Sequence, residues 1–494
     1  NEESKFRVRA FTMDGTFDEK DLSIVFPEDS GFNLSLGALP DRDLEYDFIF
    51  DKQSEVSEVL INPSGGWLVV GQFPNLVVNR PSDTNTYAQI AHLSPDMHLS
   101  NICTLYSSGK IHISDVVETD EDSFFIYGTF SGIFKCQNIE ISSNGGSDIF
   151  LIEVSSSGIV KDYSRFGSDY DDISRELLFI KDFGLVACGS FDTETNFRDT
   201  KLVSNGQVDG FIACIDRNKF SEIIWAENYG YEEFDQITCL AQDANGSILF
   251  GLTSNTSDVD DDFDPSFKPK SRFDLSLLQI RNGQIQKNHT FYGSGRINNA
   301  KITGGNSTDI SILAFEFEGS LEWKGGRVSS AGGFDIFTTS VGRDFATPQT
   351  SKLFGGSWND RLTDLDVMGN HYYLSLYFYQ NTILNGDFLS SMGSSDAVIV
   401  KVDSAKHEIT DYTVISTETA DEITCVLPII EEFILCTGLT AKSDSSKTQT
   451  KTFFGSIGSQ ETNPKVLSTP PSALSTSYPF SFTLETGPWG MTVD

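Results

Sequence analysis

The chain has 494 residues, enough for one very large domain or about three ordinary ones, and its 38% hydrophobic content is enough to form a substantial core. Acidic residues outnumber basic residues 71 to 35. The resulting formal charge of −36 repels phosphate backbones and anionic lipid headgroups, which argues against nucleic-acid binding and electrostatic membrane binding. No apolar run approaches the roughly 18 residues needed to cross a bilayer, so we expect no insertion of this segment into a membrane.

The first predicted element is the strand-rich stretch KFRVRAFTMDGTF at residues 5–17. Residues 54–458 then contain seven copies of one pattern of about 60 residues, numbered here as repeats 1 to 7. The first marker of the pattern is a hydroxyl or amide side chain ahead of an apolar strand: Ser57, Ser114, Ser174, Thr238, Asn299, Thr363 and Thr424. The second marker is a glycine in that strand: Gly71, Gly128, Gly189, Gly251 and Gly438. Repeats 5 and 6 carry larger residues in its place.

A third marker is an Asp that opens an alternating strand, as in SDIFLIEV and SDAVIVKV. Its copies, separated by 61, 65, 61 and 61 positions, are Asp148, Asp209, Asp274, Asp335 and Asp396. Between repeats lie stretches with an aromatic residue followed by glycine, such as RFGSDYDD and LFGGSWND. Asp in such a turn accepts hydrogen bonds from nearby backbone N–H groups. Because it recurs along the chain, we interpret it as fixing the turn rather than as a ring of binding carboxylates.

Each repeat is predicted to form four short strands, because Val, Ile, Phe, Tyr and Thr fill the strands while Gly, Asn, Asp and Ser fill the gaps. The pattern predicts an all-β, seven-bladed β-propeller of four-stranded antiparallel blades. The stretches at 5–17 and 478–487 both match the outer half of a repeat, giving seven inner and eight outer halves. We expect N-terminal strands within residues 1–53 to complete the last blade and close the ring, with eight blades as the alternative. Residues 459–494 are then a linker plus a C-terminal strand segment.

The Asp-led strand, the Ser-Gly or Asn-Gly turn, the Phe-Gly-Gly or Tyr-Gly stretch and the ILFGLT-type strand together resemble the SBBP-type β-propeller repeat family. The resemblance covers most of residues 50–455. It departs from the pattern in repeats 5 and 6, where the strand glycine is absent. The resemblance implies a secreted or surface protein and no particular chemistry.

The acidic segment SDVDDDFD contains a candidate calcium site, because its carboxylates alternate along a loop. The residues are Asp258, Asp260, Asp262 and Asp264. The segment lacks the glycine and the downstream Glu of an EF-hand loop, and a solvated acidic insertion is the alternative interpretation.

Cys425 and Cys436 lie symmetrically about the centre of a predicted hairpin, so we expect them to face each other across adjacent strands. A disulfide or two buried free thiols would both suit that position. Seven cysteines and no C-x-x-C motif argue against a zinc site. Five N-x-S/T sequons are candidate glycosylation sites of a secreted chain: Asn33, Asn245, Asn255, Asn288 and Asn306.

No catalytic residues are predicted, because no nucleophile motif, H-E-x-x-H motif or phosphate loop occurs. Positions after the first marker include Glu58, Asp115, Arg175 and Asp364, which would face the central channel of a propeller. These groups could perform acid–base chemistry on a sugar or line a wet channel.

We therefore expect a non-enzymatic extracellular or cell-surface propeller that acts as a structural or protein-interaction module. Protein partners or self-assembly are expected, and no cofactor apart from the calcium considered above. A carbohydrate-binding or carbohydrate-active propeller is the alternative function.

Overall fold

The computed structural model describes residues 3–11, 17–25, 42–50, 54–62, 66–77, 80–94, 98–119, 123–181, 183–255, 273–304, 309–342, 345, 350–416, 420–430, 433–444 and 447–459. These ranges contain 34 β-strands, one 3-10 turn at Pro74–Leu76 and no α-helix. The all-β prediction is confirmed. No helix in this part of the chain is both long and apolar enough to cross a bilayer.

The strands of the N-terminal segment and of repeats 1 to 3 are β1 (Glu3–Phe11), β2 (Phe17–Val25), β3 (Arg42–Ile49), β4 (Glu55–Ile61), β5 (Trp67–Gln72), β6 (Thr86–Leu93), β7 (Leu99–Ser107), β8 (Ile111–Glu118), β9 (Ser123–Cys136), β10 (Ile139–Ser155), β11 (Val160–Phe166), β12 (Asp172–Ile180), β13 (Gly184–Phe197), β14 (Thr200–Ile215) and β15 (Ile223–Tyr229). Those of repeats 4 and 5 are β16 (Phe234–Gln242), β17 (Ile248–Asn255), β18 (Phe273–Arg281), β19 (Gln284–Gly293), β20 (Ile297–Ile302), β21 (Ile310–Phe317), β22 (Ser320–Trp323), β23 (Gly326–Ser329), β24 (Asp335–Gly342) and β25 (Ser351–Phe354). Those of repeats 6 and 7 are β26 (Asp360–Met368), β27 (His371–Phe378), β28 (Asn381–Leu384), β29 (Asp387–Ser390), β30 (Asp396–Asp403), β31 (Ile409–Ile415), β32 (Asp421–Ile430), β33 (Phe433–Asp444) and β34 (Lys447–Ser459).

Within each repeat the strands pair antiparallel in sequence order. The orders are β4-β5-β6-β7, β8-β9-β10-β11, β12-β13-β14-β15, β16-β17-β18-β19, β20-β21-β24-β25 and β26-β27-β30-β31. The last sheet has the order β32-β33-β34-β3, so its outer strand comes from the N-terminal segment. The pair β1–β2 forms a separate hairpin.

The first strands of successive repeats pack against one another from repeat 2 to repeat 7, and that of repeat 7 packs against that of repeat 1. Strand β8 contacts β12, β12 contacts β16, β16 contacts β20, β20 contacts β26, β26 contacts β32, and β32 contacts β4. Apolar layers fill the space between neighbouring sheets: one cluster joins Tyr127 of repeat 2 to Phe211 of repeat 3, and another joins Ile312 of repeat 5 to Leu374 of repeat 6. The cores therefore lie between repeats, and each sheet depends on its neighbours for burial.

The hydroxyl or amide marker lies at a β-bulge. In all seven first strands the pairing register shifts by one residue at or next to the marker. The marker side chain then reaches the partner strand in a repeated way: Ser57 Oγ, Thr238 Oγ1 and Thr424 Oγ1 each donate to a carbonyl 13 residues further on, at 3.2, 3.3 and 3.3 Å. A bulge leaves one residue unpaired and bends the strand, which explains why a short polar side chain recurs there.

The glycine marker lies close to the bulge on the partner strand. A Cβ at Gly71 would lie 1.9 Å from the Glu55 carbonyl oxygen, and one at Gly189 would lie 2.1 Å from the Ile173 carbonyl oxygen. The backbones are too close at these positions for any other residue type. The first and second sequence markers therefore belong to one structural feature: the bulge in the first strand and the close backbone contact opposite it in the second strand.

Candidate functional site

Acidic side chains beside the bulges accept hydrogen bonds from the backbone of the following repeat. The pairs are Asp115 Oδ2 with Leu177 N–H at 2.7 Å, Glu176 Oε2 with Leu240 N–H at 2.6 Å, and Asp364 Oδ2 with Val426 N–H at 2.9 Å. Each carboxylate thus has one oxygen committed to joining two repeats. A carboxyl oxygen thus satisfies a backbone donor next to the bulge of the following repeat.

Repeat 5 has no acidic residue at its bulge, and Glu316 of the second strand takes over this role. Glu316 stands opposite Asn298, where repeats 1 to 3 have the glycine marker, and it is completely buried. Its Oε1 accepts the Leu362 N–H at 2.8 Å, and its Oε2 lies 3.3 Å from Arg361 Nε. The absence of the glycine in repeat 5 is thereby explained, because a side chain is needed there.

The same acidic groups influence one another electrostatically. Burial raises the pKa of Asp115 to about 6, although the backbone N–H groups that it accepts oppose the shift. Burial and then the charge of Asp115 raise the pKa of Glu176 to about 8. Burial, Asp115 and Asp364 raise the pKa of Glu58. One cation lies among them: Lys301 Nζ is 3.6 Å from Asp364 Oδ1.

Of the four predicted channel residues, Glu58, Asp115 and Asp364 belong to this group, and their side chains are partly accessible. Arg175 does not belong: it is exposed and donates to Gln236 Oε1 at 3.2 Å. The next residue, Glu176, occupies the position that the sequence assigned to Arg175. The bulge of repeat 3 begins after Ser174 and spans two positions, which sequence spacing alone did not reveal.

The predicted turn-fixing role of the Asp marker is confirmed. The backbone N–H four residues earlier donates to the carboxylate in four repeats: Asn144 to Asp148 at 3.1 Å, Asn205 to Asp209 at 3.0 Å, Ala331 to Asp335 at 2.7 Å and Met392 to Asp396 at 3.1 Å. All four carboxylates are buried.

A second set of buried carboxylates was missed at the sequence level. Asp172, Asp235 and Asp360 accept the same kind of bond, from Ser168 N–H at 2.8 Å, Tyr231 N–H at 2.7 Å and Gly356 N–H at 2.8 Å. A sequence pattern could have located them, because each of these Asp residues lies five positions after the glycine of an aromatic-glycine stretch. The two sets meet at the boundaries between repeats: a Cβ on Gly167 would lie 2.7 Å from Asp148 Oδ1 and 3.0 Å from Asp172 Oδ2.

One face of the molecule carries the hairpins that join the second and third strands of the repeats. The ladders β9–β10 and β13–β14 are longer than the rest of their sheets on this side. The short hairpins β22–β23 and β28–β29 lie there too, and β22 also pairs with β19 of the preceding repeat. The loops that precede the first strands share this edge, since Asp172 pairs with Phe191 and Asp360 with Phe378. We call this surface the hairpin face.

Large hydrophobic side chains are exposed on the hairpin face. Within the described ranges they are Tyr170, Val203, Phe234, Trp358, Ile383, Phe388 and Met392, against four elsewhere on the surface. Phe388 is 67% exposed and pairs across β28–β29 with Ile383, which is 54% exposed. Exposed apolar side chains gathered on one face are typical of an interaction surface.

The remaining predicted sites have mixed outcomes. Asp258, Asp260, Asp262 and Asp264 lie outside the described residues, as do Asn33 and Asn306. Asn245 is exposed in a turn between β16 and β17, Asn288 is partly buried on β19, and Asn255 ends β17. No group of three or more His, Cys, Asp or Glu side chains in the described part of the chain is arranged to hold a metal ion.

The expected cross-strand position of Cys425 and Cys436 is wrong. Cys425 lies opposite Thr437, and Cys436 lies opposite Val426, because the hairpin turns between Ile430 and Phe433, later than the predicted centre, and the register shifts only once between there and Cys425. The two thiols point to opposite faces of the sheet and belong to different apolar clusters, and they form no disulfide with each other. A different pair was missed: Cys103 Sγ and Cys136 Sγ are both buried and lie 3.4 Å apart.

No protein-family model matches the chain, and no curated protein matches it, so the resemblance to SBBP-type repeats stays a prediction. Among solved structures the chain is similar to an apocarotenoid oxygenase from Synechocystis, at 10% identity and a TM-score of 0.36, with 85% of this chain and 94% of that chain covered. It is also similar to the WD40 domain of SCAP from fission yeast, at 7% identity and a TM-score of 0.39, with coverages of 86% and 97%. A third is an extracellular domain of a hybrid two-component system from B. thetaiotaomicron, at 10% identity and a TM-score of 0.21, with coverages of 93% and 64%. These likenesses are remote.

Proposed function

We propose that the chain is a seven-bladed, four-stranded β-propeller, closed by β3, that acts outside the cell as a non-enzymatic protein-interaction module. Seven first strands with the same bulge support the blade number. The contact between β32 and β4 and the pairing of β3 with β34 support ring closure. The sequons and the acidic surface support an extracellular location.

The proposed interaction role rests on the exposed hydrophobic side chains of the hairpin face. Its β28–β29 hairpin presents Phe388 and Ile383 to solvent, and the loop before β26 presents Trp358. The sheets beneath them are held by carboxylate bonds between repeats. A rigid scaffold with variable apolar projections is suited to binding a protein surface, and aromatic side chains are enriched at the centres of such interfaces. The partner is a second protein or another copy of this chain.

The test compares two double variants of the full chain. Ile383→Ser with Phe388→Ser removes the apolar pair of the β28–β29 hairpin, and Ile159→Ser with Ile224→Ser removes exposed apolar side chains away from the hairpin face. Self-association is measured by sedimentation, and partners from the native source are identified by cross-linking and mass spectrometry. We expect the hairpin variant alone to lose the interaction while both variants melt near the parent temperature. An interaction retained by the hairpin variant, or lost equally in both, would contradict the proposal.

A carbohydrate-binding or carbohydrate-active site beside Asp115 is the second candidate. It is favoured by the two carboxyl groups whose pKa values are raised to about 6 at Asp115 and about 8 at Glu176, since separated pKa values allow one group to act as acid and the other as base. The bonds from each carboxylate to the next repeat favour a structural role instead. Glycan binding or turnover that disappears in Asp115→Asn and Asp364→Asn would establish this candidate over the interaction module.

A further inference from the structure

Strand β29 gives the hairpin of repeat 6 an open edge. In the described part of the chain β28 and β29 form a two-stranded sheet. Strand β28 is also bridged on its other side, where Ile383 meets Gly355, whereas β29 pairs with β28 alone. Three of the four residues of β29 are exposed. An exposed strand edge is a template for the addition of another strand.

The hydrogen bonds of the hairpin show which backbone groups of β29 point outward. Just after β29, Ser391 N–H donates to the Gln380 carbonyl oxygen at 2.8 Å. Hydrogen-bonded and non-hydrogen-bonded pairs alternate along an antiparallel ladder, so the residues two and four positions earlier also point toward β28. Phe388 and Ser390 therefore direct their N–H and C=O groups away from β28, into the open edge.

The two faces of the hairpin differ in chemistry. Leu384 is completely buried in the apolar cluster of repeat 6, whereas Ile383 and Phe388 are paired on the opposite face and exposed. Asp387 pairs with Leu384 and so lies on the covered side, where its Oδ2 accepts the Tyr412 hydroxyl at 2.7 Å. Side chains alternate along a strand, so two successive residues of an added strand would lie beside Phe388 and beside Asp387.

The charge around this edge favours a basic segment as its occupant. No Lys or Arg occurs between Arg361 and Lys401, so no cation from this part of the chain balances Asp387. A Lys or Arg of the incoming strand would provide that charge, and the apolar residue next to it would cover Phe388.

A second copy of the chain suits the edge less well. Strand β29 has four residues, and pairing over that length covers far less than the roughly 1,200–2,000 Å² of a stable protein interface. Two copies would each bring a formal charge of −36, which opposes their approach. A short peptide segment needs less area and brings no such repulsion.

We propose that β29 binds an extended peptide segment of a partner protein as a third strand, with an apolar side chain beside Phe388 and a Lys or Arg beside Asp387. This inference rests on the proposed interaction function of the hairpin face and specifies its partner. Backbone hydrogen bonds at Phe388 and Ser390 provide affinity, and the two neighbouring side chains provide selectivity.

The experiment uses the full chain and a fluorescent peptide of alternating Val and Lys, with binding measured by anisotropy. A second peptide has Glu in place of Lys, and a third is methylated at every backbone nitrogen. We expect the Val-Lys peptide to bind and either change to weaken binding at least about tenfold, because charge attraction or the backbone hydrogen bonds are lost. Hydrogen exchange should slow in β29 when the Val-Lys peptide is bound.

Two proline variants test the edge itself. Ser390→Pro removes an outward N–H and leaves the bonds between β28 and β29 in place, as proline does on an edge strand. Ser329→Pro is the matched control, because Ser329 opposes Ser320 in the β22–β23 hairpin as Ser390 opposes Asn381. We expect Ser390→Pro to weaken peptide binding at least about tenfold, Ser329→Pro to bind like the parent, and both to melt near the parent temperature.

Absence of Val-Lys peptide binding, or equal binding of the methylated peptide, would overturn the proposal without any change to the protein. Equal binding by the parent and a folded Ser390→Pro would overturn it too. If Ile383→Ser with Phe388→Ser loses its partner while Ser390→Pro keeps it, the hairpin face still mediates the interaction and strand addition alone is wrong. Self-association that Ser390→Pro abolishes, with no peptide binding, would identify a second copy as the occupant and overturn the proposal.

Discussion

Removing Glu316 should destabilise the chain far more than removing Glu318, two residues further along. Both carboxylates pair with an arginine, Glu316 with Arg361 at 3.3 Å and Glu318 with Arg296 at 3.0 Å. They differ in burial, since the Glu316 side chain is 0% exposed and that of Glu318 is 33% exposed. The comparison therefore separates the contribution of a buried junction from that of a surface ion pair.

Glu316→Ala leaves the Leu362 N–H without its acceptor and removes a partner of the Asn299 amide, which donates to Glu316 Oε1 at 3.0 Å. An unsatisfied buried donor costs about 1–3 kcal/mol, and breaking a buried charged pair costs about 3–5 kcal/mol in all. Because Arg361 retains some access to water, we expect a loss of about 3 kcal/mol. Glu318→Ala should cost at most about 1 kcal/mol, as exposed ion pairs do.

The free energy of unfolding is measured from urea titrations followed by aromatic fluorescence, with midpoints compared at equal slope. Glu316→Gln keeps a carbonyl acceptor for Leu362, so its loss should fall between those of the two alanine variants. Equal losses for Glu316→Ala and Glu318→Ala would refute the idea that the carboxylate joins repeats 5 and 6.

Three further predictions concern the boundaries and the thiols. Burial raises the pKa of Asp360 from 3.8 to about 7, so the folded state holds this proton more tightly than the unfolded chain does. The stability that this proton contributes is fully present below pH 3.8 and should be lost as the pH rises through 7. Thermal melts of the parent should show the fall, and those of Asp360→Asn a flatter profile. Gly355→Ala should cost more stability than Gly386→Ala. A Cβ at Gly355 would lie 2.3 Å from a buried carboxylate oxygen, whereas nothing lies within 4 Å at Gly386, where the cost is limited to the strain of a side chain at a φ of +92°. Equal melting temperatures would contradict this. In protein made through an oxidising compartment, Cys103 and Cys136 should form a disulfide, because their sulfurs lie 3.4 Å apart. The two residues should then resist alkylation after denaturation until a reductant is added. Peptide mapping that finds both alkylated without reductant would show that they stay as free thiols.

The sequence by itself determined the all-β class, the repeat positions and the turn-fixing role of the Asp marker. These features depend on local chemistry: residue preference for strands, and hydrogen bonds to a backbone N–H four residues away. The same local spacing would have located Asp172, Asp235 and Asp360, had the aromatic-glycine stretches been aligned to their final Asp.

Only the tertiary structure decided what the markers do between repeats. The bond from Asp115 to Leu177 joins residues 62 positions apart, and Glu316 takes over that role from another strand, so neither can be derived from spacing within one repeat. Cys425 and Cys436 are the simplest example of why spacing along the chain does not determine which side chains meet. Side chains alternate between the two faces of a strand, so the one-residue difference between the predicted and the observed pairing of β32 with β33 is enough to place them on opposite sides of the sheet.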